Sequence, residues 1–232
     1  MAAIPGGSFK MGRRGDQVTV SAYCLDKTEV TVAEFQSCVS AGGCSEPDPY
    51  SASGDATYRA CNWKRPGALS HPINCVDWTQ ADSFCVRANK RLPSEEEWEW
   101  AARNGDEGSA FPWGEEAPTA VLLNACGSEC LTFAKRELGL DWTPPMYPAD
   151  DGWPLTAPVG SFPKGANRWG VLDLAGNVAE WTSSKDELNF CACRGGAWAD
   201  HLAEGVSASL RPGLGPAHRH PILGFRCARS LP

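Results

Sequence analysis

The segment GVLDLAGNVAEWTSS, residues 170–184, brings two carboxylates, Asp173 and Glu180, close together among apolar residues. Gly176 and Asn177 lie between them. Burial of an unpaired charge under an apolar cover is costly, so carboxylates in such a turn need a partner. A bound cation is one such partner, and hydrogen bonds from backbone N–H groups are the other. This segment alone leaves both interpretations open.

Cysteines are the second set of residues whose side chains could carry out chemistry. The chain has 11 of them, scattered along its whole length and without the CxxC pairs of zinc sites. Scattered cysteines in a loop-rich domain predict a disulfide framework and an oxidising compartment, and buried reduced thiols are the alternative. The odd count leaves at least one free thiol or an intermolecular bridge. We expect the bridges Cys38–Cys44, Cys61–Cys75 and Cys85–Cys227, and Cys126 and Cys130 are also close enough to form a small loop.

The composition limits the class of protein. With 232 residues, 42% apolar and 21% charged, the chain is typical of a globular protein, and we expect a single domain over residues 1–232. The 24 glycines, 18 prolines and 10 tryptophans predict a loop-rich fold. A net charge of −7 without a basic run argues against nucleic-acid binding.

No apolar run approaches the length of a membrane span. The start MAAIPGGSFKMG does not resemble a signal peptide, so the cysteines predict an exported protein (periplasmic, surface or secreted) whose signal segment is not in this chain.

The elements that must position these residues are helices in the first half and strands at both ends. TVAEFQSCV begins with a capping box of Thr31 and Glu34, and SEEEWEWAARNG has a second one at Ser94 and Glu97. Helical spacing of apolar residues predicts another helix over 79–89. Alternating runs predict strands over 17–23, 188–198, 205–210 and 224–229. We expect the terminal strands to pair in an α+β fold.

Eight motifs in a fixed order extend the argument beyond composition. They are IPGGSFKMG, DKTEVTVAEF, HPINCVDWTQADSFC, KRLPSEEEWEWAAR, FPWGEEAP, APVGSFPKGANRWGVLDLAGNVAEW, CRGGAW and LGFRCAR. The chain resembles the formylglycine-generating enzyme family, also called the sulfatase-modifying-factor family, from about residue 4 to residue 229. The resemblance implies a loop-rich variant of the C-type-lectin-like fold with little regular structure.

The resemblance also implies two structural calcium ions. Calcium binds hard oxygens and mixes carboxylates with backbone carbonyls on flexible loops, which agrees with the residue types at the matching positions. One ligand set comprises the Asp173 and Glu180 side chains with the Gly176 and Val178 carbonyls. The other comprises the Asn124 and Asp151 side chains with the Ala125 and Trp153 carbonyls.

The chain departs from the family at the copper site. Formylglycine-generating enzymes oxidise a client cysteine with copper(I) held by two cysteines, a soft ligand pair that suits this ion. Those positions fall near Asp200 and Gly205, and no cysteine lies between Cys193 and Cys227. The serine of the family's GGS motif is replaced by Ala197. Copper is therefore not expected, and formylglycine formation is not expected either.

The remaining cysteines and histidines give only weak support for a replacement metal site. Cys191 and Cys193 are two residues apart and would share one face of a strand, but core thiols or disulfides are the ordinary interpretation. His218 and His220 share a face in the same way. His201 follows Asp200, but the sequence supplies no third ligand for iron or zinc.

Three hypotheses for the function follow, in order of preference. The first is a calcium-braced binding module for a protein or peptide ligand. The second is a metal-dependent oxidase that modifies a cysteine or a small thiol. The third is a structural domain of a larger exported or surface assembly. For the first hypothesis we place the recognition surface in the segment 198–223, at Trp198, Asp200, His201, Arg211, His218, Arg219 and His220.

Overall fold

The structure, a computed structural model, describes residues 1–48 and 56–231. Most of the surface loop expected at 45–56 lies outside the described residues. The strands are β1 (Ala2–Ile4), β2 (Gly7–Met11), β3 (Asp16–Val20), β4 (Tyr23–Leu25), β5 (Ala179–Lys185), β6 (Cys191–Arg194), β7 (Gly213–Leu214), β8 (Leu223–Gly224) and β9 (Ala228–Ser230). The α-helices are α1 (Val32–Ser40), α2 (Trp78–Arg87), α3 (Glu95–Ala102) and α4 (Ser128–Phe133), and a π-helical turn (Ala134–Leu138) extends α4. Short 3-10 turns cover Ala56–Ala60, Gly105–Glu107, Pro163–Gly165 and Ala203–Val206.

The ends of the chain meet in one sheet. β4 lies between β1 and β9 and pairs antiparallel with both. The expected pairing of the terminal strands is therefore confirmed. The segment predicted as one strand over 17–23 divides into β3 and β4, because β3 forms a separate two-stranded hairpin with β2.

The sheet nearest the candidate site has the order β7-β6-β5-β8. β5 pairs antiparallel with β6 and parallel with β8, so the carboxylate turn before β5 lies beside the C-terminal motif. Of the strand predicted over 188–198, only β6 (Cys191–Arg194) forms. The strand predicted over 205–210 is wrong: the Gly205 N–H bonds the carbonyl of Leu202 and the Leu210 N–H bonds that of Ser207, which makes consecutive turns.

Helix starts follow the sequence closely. Thr31 and Glu34 form the expected capping box of α1, and Ser94 and Glu97 form that of α3. The helix predicted over 79–89 is α2, which begins one residue earlier after an Asp77 cap and ends at Arg87. No α-helix in the part of the chain that the structure describes is both long and apolar enough to cross a membrane.

Four disulfides connect the loops and helices. The three expected bridges form, and Cys126–Cys130 closes a fourth loop. Cys85–Cys227 joins α2 to the segment before β9, across a sequence separation of 142 residues. Cys24, Cys191 and Cys193 are free and buried. A framework of this density is typical of proteins that fold in an oxidising compartment.

Candidate functional site

The two positions that the resemblance assigns to copper face each other. A β-carbon added to Gly205 would stand 2.5 Å from Asp200 Oδ1. The other oxygen, Asp200 Oδ2, accepts the Ala197 N–H at 2.7 Å. Burial raises the pKa of Asp200, while the bond from Ala197 acts in the opposite direction. The pocket for a thiolate pair therefore holds one hard carboxylate, a glycine and an alanine.

Aromatic side chains pack next to this turn. Trp198 is 2% exposed and donates its indole N–H to the carbonyl of Pro221 at 3.3 Å. Trp142 packs against it with ring centroids 6.1 Å apart, and the Cys126–Cys130 disulfide belongs to the same apolar cluster. Ala197 and Trp198 belong to this cluster, so it packs against the turn that leads to Asp200.

The substitute thiols are in the core rather than at this site. Cys191 and Cys193 are both 0% exposed and belong to the cluster formed with Phe35, Trp181 and Phe225. Burial is the largest effect on both thiols, and it raises the pKa of each above its usual value. A raised thiol pKa disfavours the thiolate, which is the form that binds metal.

The expected calcium set of Asn124 and Asp151 converges in the structure. The Asn124 amide nitrogen lies 3.4 Å from Asp151 Oδ2, 3.4 Å from the Trp153 carbonyl and 3.1 Å from the Leu155 carbonyl. Asn124 is 1% exposed, and its Oδ1 is buried without a hydrogen-bond partner. Since a carboxamide has nearly the same shape after a 180° turn, Oδ1 can take the place of the nitrogen in this ring.

With Oδ1 in that place, the Asn124 oxygen would lie 3.1–3.4 Å from three other oxygens, an arrangement that a cation between them would stabilise. Calcium–oxygen bonds of about 2.3–2.6 Å place neighbouring ligands roughly 2.8–3.7 Å apart. The ring therefore fits calcium. The Ala125 carbonyl, expected as a ligand, accepts the Gly127 N–H at 2.8 Å and lies 3.1 Å from the Tyr147 hydroxyl. The Leu155 carbonyl supplies the additional oxygen of this ring.

The expected set of Asp173 and Glu180 fits calcium less well, because Glu180 already has a cationic partner. Arg226 donates to both carboxylate oxygens of Glu180, at 2.7 and 2.8 Å, and Trp98 adds an indole N–H at 2.9 Å. Both charged residues are 0% exposed. Although burial alone would lower the pKa of Arg226, the charge of Glu180 and the neighbouring carboxylates raise it. Glu180 therefore uses its charge in this ion pair.

Glu29 is the carboxylate near this turn that has a spare oxygen. It is 2% exposed, its Oε2 has no hydrogen-bond partner, and its Oε1 accepts from the Asn177 amide at 3.0 Å. Asp173 Oδ2 accepts the Gly160 N–H at 2.6 Å. Burial raises the pKa of Glu29 well above its usual range, and the charge of Asp173 raises it further. Two carboxylates held this close share a proton or a cation.

The expected recognition residues separate into two regions. His218 and His220 stack with ring centroids 5.9 Å apart, and Arg219 between them pairs with Asp77 at 2.6 Å. Arg211 instead pairs with Glu95 and lines another cavity, together with Arg13 and Arg14 and with none of the other expected recognition residues.

Three recognition residues remain, and two of them, Trp198 and Asp200, act differently from the expectation. Trp198 is buried, so it supports the surface from below instead of forming part of it. His201 is partly exposed, and its Nδ1 lies 2.7 Å from the Trp142 carbonyl. Asp200 is tied to its own backbone turn.

The comparison with known protein families decides the identity of this scaffold. The model of the sulfatase-modifying factor enzyme 1-like domain matches residues 1–231. The chain belongs to this family. Within the sulfatase-modifying-factor scaffold, Asn124 lies beside Asp151, 27 residues further along the chain.

Relatives within the sulfatase-modifying-factor family differ in their named activity. The chain is 30% identical to the inactive Cα-formylglycine-generating enzyme 2 of Bos taurus, over 98% of this chain and 87% of that protein. It is 29% identical to the formylglycine-generating enzyme of Streptomyces coelicolor, over 98% and 88%. The structure of PvdO from Pseudomonas aeruginosa is similar at a TM-score of 0.69 and 25% identity, over 99% of this chain and 93% of that one.

Sequence reasoning missed several site residues of this family member. Glu29 and Arg226 lie in recognised motifs, DKTEVTVAEF and LGFRCAR, but 148 residues separate Glu29 from its partner Asn177. Leu155 contributes a backbone carbonyl, for which any residue type serves. No local pattern marks either kind of contribution, so only the folded chain reveals them.

Proposed function

We propose that this protein is a non-catalytic, calcium-braced binding module built on the sulfatase-modifying-factor scaffold, and that it acts outside the cytoplasm. The observation that carries the proposal is the facing pair of Asp200 and Gly205, which supplies one hard ligand and no thiolate. Copper(I) prefers soft sulfur ligands. A relative that is 30% identical bears the name of an inactive enzyme, which supports the same interpretation.

Calcium would brace the loops of this module from inside. The Asn124 ring fits the ion, and its members come from two separate stretches of chain: Asn124, and Asp151 with the carbonyls that follow it. A cation that binds only the folded state stabilises it by mass action. Residues of the ring hold the ion, and its role here is structural.

The ligand surface that we propose is the rim formed by His218 and His220. His218 is exposed, and its stacking on His220 orders the rim. Arg219 holds the rim against the cap of α2 through Asp77. Imidazole rings and nearby backbone groups suit a protein or peptide ligand, since they offer both apolar faces and hydrogen-bonding edges.

A fluorescently labelled sulfatase-type cysteine peptide is the first probe of this surface. We expect fluorescence anisotropy to detect binding without any change in the mass of the peptide. The variant His218→Ala should weaken binding, and Arg211→Ala, in the separate cavity, is the matched control. Binding that is insensitive to His218→Ala would contradict the proposed surface, and turnover of the peptide would favour the oxidase hypothesis instead.

A further inference from the structure

A cavity of about 670 Å³ lies beside the turn of the β2–β3 hairpin. Its apolar part consists of the half-buried residues Met11, Val18 and Leu210. Its charged residues are Arg13, Arg14, Arg211, Asp16, Glu95 and Asp186. We call this space the arginine cavity. It has the size of an ordinary ligand site, for which roughly 300–1,000 Å³ is usual, and it can therefore hold apolar side chains from a partner.

A buried ion pair keeps the arginine cavity in shape. The Gly12 N–H donates to Glu99 Oε1 at 2.6 Å, and the Leu210 carbonyl accepts from Arg194 Nη1 at 2.8 Å. Glu99 and Arg194 form an ion pair with each other, and their side chains are 0% and 1% exposed. Two lining segments are thus tied to the same buried pair. The cavity is already formed in the single chain, so binding does not have to order it.

The turn between β5 and β6, residues 186–190, presents two apolar side chains next to this cavity. Leu188 is 78% exposed, the highest value among the large apolar residues that the structure describes, and Phe190 is 42% exposed. Asp186, which begins the turn, lines the cavity, whereas Leu188 and Phe190 do not. The turn therefore borders the cavity of its own chain without filling it.

Hydrogen bonds hold the 186–190 turn in one conformation. Asp186 Oδ1 accepts the N–H groups of Leu188 and Phe190, each at 2.9 Å. The Asp186 N–H donates to the Phe190 carbonyl at 3.0 Å. The two exposed side chains are thus carried on a fixed backbone. Their burial against a partner costs less conformational entropy than burial of a loose loop would.

The charges of the turn and of the cavity complement each other. Two of the three arginines in the cavity already pair with Glu204 and Glu95. Among the residues that the structure describes, the exposed Arg14 forms no ion pair, and neither does the exposed Glu187 in the turn. The turn thus offers an unpaired acid beside Leu188, and the cavity offers an unpaired cation beside apolar residues. Opposite charges of this kind favour one partner and one orientation.

We propose that a second copy of this chain occupies the arginine cavity. Leu188 and Phe190 of each copy insert into the cavity of the other, and Glu187 meets Arg14 across the interface. The turn and the cavity adjoin on one face, so a two-fold axis through that face makes both contacts at once and closes the dimer. Neither His218 nor His220 lines the cavity. The inference therefore goes beyond the proposed ligand surface and does not depend on it.

Analytical ultracentrifugation of the whole chain over a range of concentrations tests the dimer. We expect the unaltered protein to sediment as a dimer at micromolar concentrations and Leu188→Ser to sediment as a monomer. Leu69→Ser is the matched control, because it removes the same side chain at a position that is 56% exposed and does not line the cavity. It should sediment as the unaltered protein does.

Charge reversal tests which groups meet across the interface. Arg14→Glu and Glu187→Arg should each be monomeric, because like charges then meet at both contacts of the dimer. An equimolar mixture of the two variants should form a dimer, because every contact between unlike copies then joins opposite charges. The double variant should also form a dimer with itself. Restoration in the mixture requires that the partner is a second copy of this chain.

Three results overturn the proposal. They are an unaltered protein that is monomeric at every concentration, a dimer that Leu188→Ser leaves intact, and a mixture of the two charge variants that stays monomeric. Melting curves show that each variant is folded. Phe190→Ser repeats the test should Leu188→Ser fail to fold.

Discussion

The carboxylate of Asp200 lies directly over the α-carbon of Gly205. Its Oδ1 occupies the space that any side chain at residue 205 would need, at 2.5 Å from the β-carbon position. Its Oδ2 caps the Ala197 N–H. Asp200 therefore serves as a local structural brace at the position where related enzymes hold a metal, and Gly205 is required for this brace.

The first prediction is a strong energetic coupling between these two residues. Gly205→Ala should destabilise the protein by about 1–3 kcal/mol, the usual cost of overpacking, because the new methyl group meets Asp200 Oδ1. In the Asp200→Ala background the same change should cost much less, since the obstructing carboxylate is gone. Urea unfolding of both single variants and the double variant measures the coupling.

Gly215→Ala is the control for the effect of the added methyl group itself, because nothing lies within 4 Å of its β-carbon position. It should leave the free energy of unfolding nearly unchanged. Equal costs of Gly205→Ala in the two backgrounds would contradict the packing described for Asp200.

A second prediction concerns the pH dependence of the Asp200 contribution. Burial raises the folded pKa of Asp200 above its unfolded value, with His201 the charged group that opposes the shift. The folded state favours the protonated carboxyl, so the stabilisation from this group is fully present below the unfolded pKa of about 3.9. It is lost as the pH rises through the folded pKa, because the carboxyl then ionises in the buried position. Asp200→Asn removes the charge and keeps a carbonyl acceptor for Ala197.

The melting temperature of Asp200→Asn relative to the unaltered protein should accordingly rise between pH 4 and pH 8. Thermal melts at matched ionic strength measure this difference. A difference that stays constant with pH, or falls, would show that Asp200 does not carry a buried charge.

The third prediction concerns the cysteines. Mass mapping without reduction should recover the four bridges and three free thiols at Cys24, Cys191 and Cys193, which react with alkylating reagents only after unfolding because they are buried.

Replacement of Cys85 and Cys227 by alanine should lower the free energy of unfolding by about 5 kcal/mol in the chain-entropy model. Replacement of Cys38 and Cys44, whose separation is six residues, should cost only about 2 kcal/mol. Eleven free thiols would reject both the framework and the oxidising compartment.

A fourth prediction concerns calcium and stability. Addition of a chelator should lower the melting temperature, because an ion at a hundredfold excess over its Kd contributes about 2.7 kcal/mol to the free energy of unfolding. Asn124→Ala should remove most of this response. Asp106→Ala, which alters a side chain that is 75% exposed and has no contact with the ring residues, should keep it. Identical melting curves of the unaltered protein with and without chelator would contradict the proposal of a structural calcium ion.

Much of the fold was predictable because its signals are local. The capping boxes at Thr31 and Ser94 fix where α1 and α3 begin, since each N-cap residue is only three positions from the glutamate that completes the box. The strand predicted over 205–210 failed because a short alternating run needs a neighbouring strand. Here Gly205 turns under Asp200 instead.

The candidate site was predictable only as far as residue types carry its chemistry. Asn124 and Asp151, which the family resemblance assigns to one expected calcium set, do lie together in the structure. The ion pair of Glu180 with Arg226 joins residues 46 positions apart, and the spare oxygen of Glu29 lies opposite a turn almost 150 residues away in sequence. Such long-range partners follow from the folded topology, which sequence spacing does not encode.

The central claim is that the scaffold has no thiolate site for copper, and the most direct measurement is copper(I) binding coupled to peptide oxidation. The protein is loaded with copper(I), incubated in air with a sulfatase-type cysteine peptide, and the products are analysed by mass spectrometry. We predict no aldehyde and no stoichiometric copper, whereas the double variant Asp200→Cys and Gly205→Cys should bind one copper(I) ion per chain. Copper-dependent aldehyde formation by the unaltered protein, lost in Cys191→Ser or Cys193→Ser, would contradict the account and make this protein an oxidase.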